Sequence, residues 1–121
     1  MTLIAVCTLG LGTFMIIAPG SFHDTIGPFG PRNDHYAIDG ATFYLAFGLG
    51  AVVAIRDAGW RIPVLAMLAV QNVAHTINHL VDIGDATPSW VGIFDFVVLM
   101  GATVLLSWLL LRRSTPTRCA S

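Results

Sequence analysis

The stretch Ile62–Ile83, IPVLAMLAVQNVAHTINHLVDI, decides the fold. Its first part, Ile62 to Val70, carries no polar side chain. From Gln71 onward polar residues recur at Gln71, Asn72, His75, Asn78, His79 and Asp82. At roughly 100° per residue these six share an arc of about 120° on a helix, while Val70, Val73, Ala74, Ile77 and Val81 fall elsewhere. The stripe runs about 16 Å along the axis. The whole stretch has the length of a bilayer crossing, roughly 20 helical residues. An ionisable side chain that deep costs on the order of 3 kcal/mol and normally faces a bundle interior or a wet cavity. Such a stripe therefore requires neighbouring helices.

The rest of the chain supplies them. Three more apolar stretches read as spans, at about residues 3–19, 35–55 and 90–111. Pro19-Gly20 ends the first, and Gly27-Pro28-Phe29-Gly30-Pro31 fills the loop after it. Gly59 marks a tight second turn, and Gly84 with Pro88 breaks the chain before the last span. Composition agrees: 55 % of the 121 residues are hydrophobic and 11 % charged, against about 25 % charged in a soluble domain. That balance argues against a soluble fold, a basic nucleic-acid-binding face and a disordered tail. The expected fold is all-α, a single integral membrane antiparallel four-helix bundle over residues 1–121.

The few charges are segregated. Arg56 and Arg61 flank the second loop, and Arg112, Arg113 and Arg118 follow the last span, whereas Arg32 alone lies among the outer loops. Six of the seven Asp and all four His fall on the other side. The arginine bias places both termini and the second loop in the cytoplasm, as in a bacterial inner membrane. The first span lacks a basic leader and a clear small-residue cleavage site, so it is expected to be retained. Cys7 and Cys119 are too few and too poorly placed for a disulfide framework or a thiolate metal site. Trp60, Trp90 and Trp108 fall near span ends, where aromatic anchors belong.

The outer half concentrates the chemistry. His75 and His79 are four apart on one helix, a spacing that suits two imidazoles on one ion. His35 and Asp39 share a face at the start of the second span, and Asp95 lies more than a turn inside the fourth. Together His35, Asp39, His75, His79 and Asp95 form a candidate transition-metal site, with Asn72, Asn78 and Asp82 orienting the imidazoles. Mixed imidazole and carboxylate ligands suit Zn, Fe, Cu or Mn. Such a centre would make the chain a metal-dependent membrane enzyme or redox component.

Two other readings compete. The stripe serves equally as interhelical glue in a non-catalytic subunit of a larger membrane complex or a homo-oligomer, through hydrogen bonds worth roughly 0.6–2 kcal/mol each. It also suits a quinone or other small-ligand pocket with proton exchange on one side. A full transmembrane proton wire is disfavoured, since nothing polar lies between Ala66 and Val70. Arg32 is available to neutralise Asp34 or Asp39, and His23-Asp24 reads as a solvated loop pair. Gly10, Gly12, Gly48 and Gly50 read as packing positions between helices. No phosphate-binding loop, dinucleotide fingerprint or zinc ribbon is present, and the serines are poorly placed for a Ser-His-Asp nucleophile.

The first span ending in Ala18-Pro19-Gly20-Ser21-Phe22, the short Gly/Pro loop and Phe47-Gly48-Leu49-Gly50 resemble the small DoxX-like bacterial membrane proteins. That resemblance implies a four-helix membrane fold and, for some members, association with quinone-linked oxidoreductases. It implies no catalytic residues, and the His/Asp constellation is not part of it.

Overall fold

A computed structural model describes residues 1–114, and every regular element within them is helical. Helix α1 spans Thr2–Ile17, α2 Pro19–Thr25, α3 Asp34–Arg56, α4 Arg61–Val81 and α5 Ser89–Ser114. A single 3-10 turn, Ala58–Trp60, joins α3 to α4. Arg118 and Cys119 lie outside the described residues. Three helical segments are long and apolar enough to cross a membrane: α3, the turn with α4, and α5. Helix α1 alone is too short and reaches that length only with α2, across a bend of 113°.

Helix α1 lies within two residues of the expected first span of residues 3–19, and the bend adds a second, short helix that was not expected. A residue preceding proline is pushed out of the helical region, and Ala18 adopts φ −138°, ψ 60°. Proline lacks an N–H that a helix start does not use, so Pro19 opens a new helix instead of merely ending one. Phe14 and Phe22 close the elbow edge to face, with ring centroids 6.4 Å apart. The loop beyond α2 turns at Gly30, whose φ of +62° favours glycine. Asn33 then starts α3 by accepting a hydrogen bond from the Tyr36 N–H at 3.2 Å.

Helix α1 packs chiefly on α3, and α4 chiefly on α5, with a smaller contact between α3 and α4. The first pair meets through small residues. A Cβ on Gly12 would sit 3.0 Å from the Ala41 carbonyl oxygen, and one on Gly48 would press on Leu9 and Thr8. This matches the close approach expected at Gly12 and Gly48. Gly50 lies near Val64 of α4, but Gly10 has no neighbour within reach of a Cβ among the described residues. The second pair is tied by polar groups: the Asn72 side-chain amide donates to the Leu99 carbonyl at 3.0 Å and to the Thr103 hydroxyl at 2.7 Å. Thr76 joins them, 2.8 Å from the Thr103 hydroxyl.

The distribution of size is inverted relative to a soluble core. Among the described hydrophobic residues the fully inaccessible ones are alanines (Ala41, Ala51 and Ala54), while Ile17, Val70 and Val81 are 72–76 % exposed. The common core lies at one end, where Ala5, Ala51, Ala54, Val64 and Leu68 cluster with Leu106 packed against them. The Arg61 side chain donates to the Ala54 carbonyl at 3.2 Å at that same end. Toward the opposite end the two helix pairs diverge. The gap between them is the candidate site.

Candidate functional site

The divergence leaves a half-enclosed cleft of about 740 Å³. Leu11 and Met15 of α1 and Ala37, Gly40, Phe43 and Tyr44 of α3 form one wall. Gln71, His75 and His79 of α4 with Asp95, Val98 and Leu99 of α5 form the other. Phe22 and His23 of α2, with Phe29, Pro31 and Arg32 of the following loop, line its outer end. The lining is mostly apolar. Its polar groups fall in two places, the outer end around Arg32 and the wall where His75 and His79 of α4 lie near Asp95 of α5.

His79 is held between two rings. His75 lies 4.6 Å from it, centroid to centroid, at 80°, and Phe29 lies 4.7 Å away at 82°. Its Nδ1 is buried without a hydrogen-bond partner among the described residues. Asp95 and Asp82 are the carboxylates near enough to act on its charge. Asp95 itself has no hydrogen bond or ion pair among the described residues. One turn before Asp95 the loop after α4 packs closely on α5 at Gly92, where a Cβ would overlap the Ile83 carbonyl oxygen.

The outer end of the cleft is a built structure. Arg32 donates from Nε and a terminal nitrogen to the two Asp34 oxygens at 2.7 and 2.8 Å. Those hydrogen bonds, and then the Asp34 charge, push the Arg32 guanidinium above its ordinary value and keep it charged. A Cβ on Gly20 would lie 2.6 Å from the guanidinium carbon, so Arg32 lies directly over the α2 backbone. His23 bridges the cover internally, 3.2 Å from Asp24 and 3.3 Å from the Gly30 carbonyl. His23 therefore belongs to the cleft lining, whereas Asp24 stays exposed as the solvated-pair reading has it. The loop is anchored across the molecule by the Thr87 N–H donating to the Pro28 carbonyl at 3.0 Å.

The expected ligand set divides. His75, His79 and Asp95 come together in the cleft. His35 and Asp39 pair with each other at 3.4 Å, and their side chains are 82 % and 59 % exposed. Their four-residue spacing correctly puts them on one face, but the cleft takes the adjacent face of α3 through Ala37, Gly40 and Tyr44. Among the described residues no three His, Cys, Asp or Glu side chains are grouped to hold a metal ion. Of the residues expected to orient the imidazoles, Asn72 faces α5, Asn78 is exposed and Asp82 follows the end of α4.

Several contributors carry no strong mark in the sequence. Phe29 and Arg32 reach the cleft through the path of an irregular loop. Tyr44 is signalled only by its four-residue spacing from Gly40, and Thr76 and Thr103 by a hydroxyl on each of two neighbouring spans. No family model, curated protein or solved structure matches the chain.

Proposed function

We propose that the chain is a multi-pass membrane protein that binds a small amphipathic molecule, of the quinone type, in the cleft between its two helix pairs. In this reading α1, completed by α2 across the bend, is the fourth pass, α1, α3, α4 and α5 form an antiparallel bundle, and the Arg-rich end faces the cytoplasm. The exposed aliphatic residues then face lipid, and Arg112, 4.0 Å over the Trp108 ring, sits at the inner boundary. That layout is the one implied by the DoxX-like resemblance.

One observation carries the proposal: a mostly apolar cleft of about 740 Å³ with His75, His79 and Asp95 on its α4–α5 wall and His23, Arg32 and Asp34 at its outer end. Small-molecule sites have this character, an apolar lining with a few placed polar groups in about 300–1,000 Å³. The apolar part of a ligand would lie along Met15, Phe43 and Val98, and its polar end would meet the imidazoles. Interhelical glue accounts for Asn72, which bonds to α5. It does not account for His75, His79 or Asp95, none of which makes a hydrogen bond to another helix among the described residues. Those groups are free to exchange protons with a bound head group on the outer side. A metal centre would rest on His75 and His79 with Asp95, a set that lacks the grouping three ligands need.

Binding of a short-chain benzoquinone to the protein in lipid nanodiscs tests the reading. Saturable binding above that of empty discs, lost when Ala37→Trp fills the cleft, is the expected result. No saturable binding, or binding that Ala37→Trp leaves unchanged, overturns it. Stoichiometric metal in purified protein, lost in His75→Ala/His79→Ala, would instead favour the metal centre.

A further inference from the structure

We infer that the cleft is built for a lipophilic organic cation, its charge held against Asp95. The inference deepens the ligand-site reading above and rests on it. The charged and titratable groups lining the cleft are His23, Arg32, Asp34, Tyr36, Tyr44, His75, His79 and Asp95. Arg32 and Asp34 neutralise each other through two short hydrogen bonds. Asp95 is left as the one fixed charge at the cleft that has no counter-ion among the described residues.

A carboxylate beside apolar walls is costly without a partner. An opposite charge placed inside the cleft would offset that cost. An organic cation supplies that charge at a short distance in a medium of low dielectric. The walls suit the same ligand class. Phe22, Phe29, Phe43 and Tyr44 present rings along the cleft, and aromatic faces attract weakly hydrated cations. A small metal cation would need several oxygen ligands that this lining does not offer. The approach is also polarised, because the cleft end of the molecule carries six Asp and one Arg, a field that concentrates cations.

Tetraphenylphosphonium and tetraphenylborate have closely similar shape and opposite charge, so they isolate the electrostatic part. Their binding to nanodisc-embedded protein, corrected for empty discs, is compared with that of the short-chain benzoquinone. The phosphonium is expected to bind saturably and the borate not to. Asp95→Asn, which keeps shape and removes charge, is expected to weaken phosphonium binding by about tenfold or more. Equal binding of the two ions, or a phosphonium affinity unchanged by Asp95→Asn, overturns the inference. Quinone binding without phosphonium binding overturns it while the ligand-site reading stands. Absence of binding by all three probes overturns both.

Discussion

Phe29 and His79 meet edge to face, ring centroids 4.7 Å apart at 82°. One ring belongs to the loop after α2 and the other to the last turn of α4, so the contact joins the cover of the cleft to its polar wall. Such pairs contribute about 0.5–1.5 kcal/mol beyond their buried area. Phe29→Ala should weaken binding of a cleft ligand by about fivefold to tenfold, with a modest loss of stability. Phe29→Leu should recover part of the affinity through burial. Binding isotherms for the three proteins in one nanodisc preparation check this.

The Arg32 guanidinium lies over the Gly20 backbone, where there is no room for a Cβ. The obstructing atoms are the far end of a flexible side chain, so Gly20→Ala should displace Arg32 at little cost to folding. Its expected effect is on the cover: the Arg32–Asp34 pair loosens and release of a bound ligand becomes faster. Dissociation rates measured by stopped flow, beside an unchanged thermal midpoint, would show it. An unchanged dissociation rate would mean that Arg32 does not restrain the cover.

Asn72 and Thr103 act between helices. Asn72→Ala removes hydrogen bonds to both Leu99 and Thr103, and each is worth about 0.6 kcal/mol and at most about 1.7 kcal/mol within a membrane. Stability against sodium dodecyl sulfate should fall by about 1–2 kcal/mol with ligand affinity within about twofold. A large loss of affinity without loss of stability would move Asn72 from helix packing to ligand contact.

Glycines divide by what surrounds them. Gly92→Ala would drive a Cβ into the Ile83 carbonyl oxygen, which cannot yield without moving the α4–α5 junction. It should destabilise by about 2 kcal/mol or more and displace Asp95. Gly10→Ala and Gly101→Ala meet open space, so in the monomer they should be neutral or gain up to about 1 kcal/mol of helix stability. Denaturation curves for the three variants check the division. A loss of stability at Gly101→Ala would reveal a helix contact made by a second copy or another subunit.

These relations also explain how far the sequence could be read. The helical positions of α3, α4 and α5 follow from hydrophobic length and flanking Gly and Pro, and agree with the expected spans to within about three residues. The first helix also lies within about two residues of its expected span, but the apolar run gives no sign of the backbone break at Ala18 or of the short helix beyond it. Periodicity grouped His75 with His79 and His35 with Asp39, since neighbours on one helix face are fixed by the turn. It could not set the rotation of α3 relative to α4, and that rotation carries His35 and Asp39 away from the cleft. Phe29 was illegible for a different reason: its position depends on a loop held by Thr87, far along the chain. Thr76, at the edge of the polar arc, pairs with Thr103 because α4 and α5 lie side by side.

The central claim, that the cleft receives an amphipathic ligand, is tested most directly by photolabelling in nanodiscs with a short quinone bearing a diazirine, followed by mass-spectrometric mapping of the adducts. Adducts concentrated on Ala37–Tyr44 and Gln71–His79, and removed by excess unlabelled quinone, are the result the account predicts. Adducts spread over the outward residues Val70, Val97 and Val104 in the same pattern as a photoreactive lipid, and insensitive to competition, would contradict it.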